Sequence, residues 1–242
     1  MSFLYKLSQF FIFPGSFRAM LLWPKFSLAS FLIVNRLKSI GVLPKTIIDV
    51  GANVGQFAIA SSKLFESVEI ISIEANQDAV EKLKRNVKKI SNVDVISSAV
   101  GDYDGSAEFF INSDSQVSSL LELGNVRSTL FPKSKVVRSQ FIPISRLDSL
   151  LASSKIREPL LLKLDVQGAE EKVLLGADLT LKRAKWVLVE FGFFDLYKGE
   201  PSFDVIYKMM IGHGFQLEGI MNTHLSPDGS AIIEMDVLFL KN

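Results

Sequence analysis

The chain contains no cysteine. Disulfides, thiolate nucleophiles and zinc–sulfur sites are therefore excluded, and a disulfide-stapled secreted domain is excluded with them. Histidine is almost as scarce, since only His213 and His224 are present. No acidic side chain precedes Asp49, whereas Lys6, Arg18, Lys25, Arg36, Lys38 and Lys45 all do. Long apolar runs are lacking too. The uncharged stretches Leu7–Phe17 and Phe26–Asn35 fall short of the roughly 20 residues that a membrane-spanning helix needs. Pro14 and Gly15 interrupt the first of them, and no small-residue cleavage site follows, which argues against a secretory signal. A net charge of +1 without a dense Lys/Arg stripe gives no reason to expect nucleic acid as a partner.

What is present is globular in kind. A chain of 242 residues, 48% hydrophobic and 22% charged, can bury the core of one domain. The sequence divides into a basic, aromatic-rich leader over 1–43 and an α/β domain over 44–242. The leader carries Phe3, Tyr5, Phe10, Phe11, Phe13, Phe17, Trp23 and Phe26. It reads first as one or two helices capping the sheet of the main domain. The alternative is a cationic amphipathic segment lying on an anionic membrane surface. The expected location is cytoplasmic, with membrane association through the leader as its variant.

From Lys45 onward, strand-like runs alternate with helical patterns, as parallel βαβ units do. Strands are expected at Thr46–Val50, Glu69–Glu74, Val93–Val100, Leu160–Val166 and Trp186–Phe191. Between them, Asn53–Phe65 and Gln77–Ile90 have helical apolar spacing, the second through Val80, Leu83, Val87 and Ile90. Ala107–Ile111 and Val136–Ile144 read as extra strands around a polar stretch, Asn112–Leu121, that suggests a substrate-side lid. A helix around Ser145–Ala152, one beginning near Ala169 and one over Phe203–His213 complete the middle. Phe215–Met221 and Ile232–Leu240 are joined by too few residues for a crossover, so that last pair should be antiparallel. The expected fold is Rossmann-like: seven strands, mostly parallel with the last reversed, and helices on both faces.

The chemistry concentrates at strand ends. Asp49-Val50-Gly51-Ala52-Asn53-Val54-Gly55 ends a strand in an acid and opens a helix through two glycines, where free N–H groups meet a ligand. Its spacing is tighter than the G-x-G-x-x-G of dinucleotide sites. The compact form suits the carboxylate and sulfonium end of S-adenosylmethionine, with Asp49 near its ammonium. Glu74 ends the next strand, where an acid accepts both ribose hydroxyls. Ser98-Ala99-Val100-Gly101-Asp102 offers small walls for an adenine at Ala99 and an acid, Asp102, for its amino group. Asp165 closes Leu162-Lys163-Leu164-Asp165, in the strand expected beside the first, and either faces the reacting centre or caps the following helix.

The runs TIIDVGANVGQFA, SAVGDYDGSAEFF, KLDVQGAEEKVLLGA and WVLVEFGF with LYKGEPSF, together with Glu74, resemble the FkbM-type methyltransferase family in order from about Pro44 to the end. The resemblance implies a Rossmann-like fold, S-adenosylmethionine as methyl donor, and O-methylation of a sugar, glycan or natural-product hydroxyl. It carries over Gly51, Asn53, Gly55 and Glu74 as cofactor contacts and Asp165 as a residue at the reaction centre. It carries over no particular acceptor.

A sugar hydroxyl ionises far above neutral pH, so a general base or a metal should assist. Asp165, Glu190 and His224 are the candidates. His224 is expected in the loop after the sixth strand, and His213 near a helix end is structural. Glu170 reads as a helix N-terminal acid. Mg²⁺ on Asp165 and Glu190 is a further option that no compact cluster of three acids demands. Two rivals stay open, a nicotinamide-dependent oxidoreductase and a non-catalytic cofactor-binding scaffold.

Overall fold

The computed structural model describes residues 15–241. Helices α1 (Ser16–Leu22) and α2 (Leu28–Ser39) precede the first strand. Then follow β1 (Thr46–Val50), α3 (Gln56–Leu64), β2 (Glu69–Glu74), α4 (Gln77–Val87), β3 (Val93–Ser97), β4 (Ala99–Gly101) and β5 (Gly105–Asn112). A 3-10 turn at Ser115–Val117 and α5 (Asn125–Leu130) lead to β6 (Val136–Arg146) and α6 (Leu147–Leu150). The chain ends with β7 (Leu160–Leu164), α7 (Glu170–Leu175), α8 (Asp178–Arg183), β8 (Ala184–Gly192), α9 (Phe203–Gly212), β9 (Phe215–Leu225) and β10 (Ile232–Lys241).

The main sheet has the order β3-β2-β1-β7-β8-β10-β9, with β10 antiparallel to both of its neighbours and the other pairings parallel. This is the expected Rossmann-like sheet. Its central strands β1 and β7 are buried along their whole length because helices cover both faces. Alternation along each strand sorts the core into two layers. Ile48, Val50, Leu162 and Leu164 pack toward α7, α8 and α9. Ile47, Ile70 and Leu161 pack against Val34 and Leu37 of α2 and Phe57 and Ala58 of α3. Part of the leader therefore caps the sheet. The segment 1–14, which holds most of its aromatic residues, lies outside the described residues.

Several boundaries differ from the sequence reading. The third strand is cut at Ser98: β3 stays in the main sheet, while β4 pairs with β6 in a separate three-stranded sheet, β4-β6-β5. The helix after β1 starts at Gln56 rather than Asn53, because Asn53 and Gly55 hold left-handed backbone angles of 46° and 92°. Ser145 and Arg146 remain paired to Val100 and Gly101, so only Leu147–Leu150 is helical there. Helices α5 and α8 were not expected. Asp148 accepts from the N–H groups of Leu179 and Thr180 at 2.7 and 2.8 Å, a cap for α8 lent by a residue some thirty positions away.

Candidate active site

At the C-terminal end of β1 the backbone N–H groups of Gly51 and Ala52 both donate to the Ile73 carbonyl at 3.0 Å, folding the chain over the tip of β2. A side chain on Gly51 would stand 1.8 Å from the Asp165 carbonyl oxygen, so glycine is demanded by the neighbouring strand. The Asn53 N–H donates to Glu74 Oε2 and the Asn76 N–H to Glu74 Oε1, each at 2.7 Å. Burial pushes the Glu74 carboxyl above its usual range, and these two N–H groups pull it back. Glu74, the 51–53 turn and the apolar Ala99, Val100 and Phe109 wall one end of a continuous cavity of about 570 Å³. That volume lies within the range of small-molecule sites.

The middle of the cavity is built on a buried lysine. Lys163 of β7 stands in register with Asp49 of β1. Its Nζ lies 3.1 Å from Asp49 Oδ1 and 3.1 Å from Asp165 Oδ2, and 5.5 Å from the Phe57 ring centre. Burial works against its charge, but Asp165 and Asp49 outweigh that and hold its pKa well above the usual lysine value. Asp165, also opposed by burial, is held below the usual carboxylate range by Lys163 and by hydrogen bonds from Glu190 and Gln167.

Beyond Asp165 the wall is polar. Gln167 Nε2 donates to Asp165 Oδ1 at 2.9 Å and to Glu190 Oε2 at 2.7 Å. The Tyr197 hydroxyl donates to Gln167 Oε1 at 2.6 Å, which fixes that amide with its NH₂ toward the two carboxyl groups. Glu190 is pushed well above the carboxylate range by burial, then by Asp165, Glu234 and Asp236. It is therefore the member of the Asp165–Glu190 pair that keeps a proton. His224 Nε2 lies 3.8 Å from Asp236 Oδ2, 4.0 Å from Glu190 Oε1 and 3.0 Å from Asn222 Nδ2. Its pKa is raised, chiefly by the neighbouring Asp236 carboxylate and against the opposing effect of burial. The 3-10 turn overlies this region: Gln116 and Val117 line the cavity, and Ser119 Oγ donates to the Gln167 carbonyl at 2.7 Å. The region suspected as a lid thus forms cavity wall.

The sequence of residues 49–217 matches the family model described as the methyltransferase FkbM domain, more than half of the chain. The chain belongs to the FkbM methyltransferase family. It is 25% identical over 179 residues to the 2-O-methyltransferase NoeI of Sinorhizobium fredii (strain NBRC 101917 / NGR234), covering 66% of this chain and 72% of that protein. Among solved structures it is similar to a precorrin-6y C5,15-methyltransferase from Geobacter metallireducens GS-15, with 12% identity, a TM-score of 0.49, and coverage of 88% and 87%. A putative RNA methyltransferase from Pyrococcus horikoshii gives 16% identity, a TM-score of 0.47, and coverage of 88% and 81%.

The FkbM-family cavity brings together Gly51, Asn53, Glu74, Ala99, Asp165, Glu190 and His224 from the sequence-derived set. Three members fall elsewhere. Asp49 has no exposed side-chain surface and lies off the cavity wall, because its carboxylate is turned to Lys163. Gly55 also lies off the wall; a side chain there would meet Leu83 Cδ1 of α4 at 2.5 Å, so its glycine serves helix packing. Asp102 is exposed and outside the cavity, because the chain leaves the main sheet at Ser98. His224 stands within β9, opposite Glu234 of β10, and not in a loop. His213 caps α9 with Nδ1 4.0 Å from Asp178 Oδ1. Glu170 Oε1 accepts the N–H groups of Val166 and Gly168, stitching the turn after β7. Among the described residues, no group of three His, Asp or Glu side chains is arranged to hold a metal ion.

The sequence reading missed Lys163, Gln167, Tyr197, Asn222, Asp236 and Arg127. For Lys163 a signal existed: a lysine amid leucines, two residues from an acid on the same strand face, is buried only if paired. Arg127 had none. It sits in the unexpected α5, 3.1 Å from Glu234 and stacked 4.9 Å over the Phe131 ring.

Proposed function

We propose that this chain transfers a methyl group from S-adenosylmethionine to a hydroxyl oxygen of a sugar, glycan or natural-product acceptor. One observation carries the reading: the Glu74 carboxylate, fixed by two loop N–H groups, shares its cavity with the Asp165–Glu190–His224 group. Similarity to the 2-O-methyltransferase NoeI supports oxygen as the accepting atom.

The residues present fit that cofactor. Each Glu74 oxygen has a lone pair left after its backbone bond, enough to accept two ribose hydroxyls. The Gly51–Asn53 turn would hold the amino-acid end, and Ala99 with Val100 would offer apolar surface to the adenine. When bound, S-adenosylmethionine supplies a methyl group activated on a sulfonium. The chain's own groups orient the acceptor and receive its proton. Asp165, ionised and braced by Lys163, accepts a hydrogen bond from the acceptor hydroxyl and aligns it. Glu190, protonated, is a donor rather than a base. His224 is the base, because Asp236 strengthens its hold on a proton without burying it out of reach of the cavity.

The test is incubation with labelled methyl donor and fractionated cell-envelope glycans. The expected product is a labelled methyl ether, formed about 10²–10⁴-fold more slowly by His224→Ala. S-adenosylhomocysteine binding with no transfer to any fraction would favour the non-catalytic scaffold. Binding of NAD(H) in its place would favour the oxidoreductase.

A further inference from the structure

Helix α1 is turned inside out relative to an ordinary surface helix. Its small residues Ser16 and Ala19 are buried, while Phe17, Leu21 and Leu22 are 58%, 67% and 65% exposed and Met20 is exposed as well. A soluble surface helix buries its large apolar residues and exposes its polar ones. The patch is also firmly mounted. Trp23, at the end of α1, lies 5.9 Å from Phe26 and 5.7 Å from the buried Phe31, ring centre to ring centre, and so ties α1 to α2.

Along the chain, the charge beside it has one sign. Arg18 lies within α1 and Lys25 just after it, both exposed, and no acid occurs anywhere before Asp49. Contiguous exposed apolar side chains mark a contact surface. Flanking cations with no acid beside them in sequence select an anionic partner, and an apolar patch with cations at its flanks suits a bilayer of anionic lipid. Among the described residues no helix is long and apolar enough to cross a membrane, so the contact is with the surface. We infer that α1 docks this chain on anionic membranes by inserting Phe17, Met20, Leu21 and Leu22 between headgroups, with Arg18 and Lys25 at the lipid phosphates. The same leader reaches the cavity, because Ser27, Ser30 and Ile33 line its wall.

The experiment is co-sedimentation of the full chain with phosphatidylcholine vesicles, and with vesicles containing about one third phosphatidylglycerol. Binding is expected on the anionic vesicles alone, and it should weaken several-fold at about 0.5 M salt, where the Debye length shrinks below 5 Å. The double variant Phe17→Glu/Leu21→Glu should lose at least about five-sixths of the bound fraction. Its thermal unfolding should match the parent, since both side chains are exposed. Equal binding to neutral vesicles, no binding to either kind, or undiminished binding by the double variant would overturn the inference. So would a dimer in solution that the double variant dissociates in the absence of any vesicle binding. The readout is independent of methyl transfer, so its failure and that of the enzymatic reading are separable.

Discussion

Lys163 shows how much of this site rests on single side chains. It is a buried cation between two carboxylates, and removing one member of such a group leaves the others charged without a partner. Lys163→Met should cost about 3–5 kcal/mol in denaturant unfolding, and adding Asp49→Asn should recover part of that loss. A simple sum of the two single effects would contradict the pairing. Gly51 is equally constrained, with a positive φ of 78° and the Asp165 carbonyl where a side chain would begin. Even Gly51→Ala should destabilise by about 2 kcal/mol or more, since overpacking and backbone strain add. An unfolding curve matching the parent would refute that constraint. Tyr197 acts at one remove. Tyr197→Phe frees the Gln167 amide to turn, weakening its hold on Asp165 and Glu190. Turnover should fall about tenfold or more while S-adenosylhomocysteine affinity stays within about twofold, as expected of a positioning residue. His224 supplies the pH test. Asp236 raises its pKa, so the rate should climb as pH rises through a value above that of free histidine. Asp236→Asn should move that limb to lower pH, and an unmoved limb would remove His224 from the role of base.

At the scale of elements, what was legible follows local pattern. β1, β2, β7 and β8 announce themselves as short apolar runs with an acid at or near their C-terminal ends, and α4 by its three-and-four spacing, because burial on one or both faces dictates those residues. The break at Ser98 left no such mark, since β3 and β4 run on in sequence and separate only by choosing different partners. Helix α8 was illegible for the same kind of reason: its cap comes from Asp148 across the fold. Asp148→Ala should cost about 1–2 kcal/mol of stability, measurable by thermal unfolding and absent if the cap is incidental. The candidate site divides in the same way. Glu74 and Asp165 were readable because they sit at strand ends, whereas Gln167, Tyr197 and Asp236 matter through contacts that only the tertiary structure creates. Asp102 falls outside the cavity because its neighbourhood depends on the strand break.

At the scale of the molecule, the buried acids give stability a pH dependence. Burial raises Glu170 to about 7. A carboxyl whose folded pKa exceeds its unfolded one contributes stability below the unfolded value, and that contribution is lost as pH rises through the folded one. The stability advantage of the parent over Glu170→Gln should therefore shrink by roughly 3 kcal/mol between pH 4.5 and 8. The whole fold also converges on one claim, that the cavity between the Gly51 turn, Glu74 and Ala99 holds a nucleoside-bearing methyl donor. Calorimetric titration with S-adenosylhomocysteine tests it most directly. One molecule should bind per chain, Glu74→Gln should weaken binding about tenfold or more, and exposed Asp102→Ala should leave it unchanged. Absence of binding to the parent chain, or equal loss in the Glu74 and Asp102 variants, would contradict it.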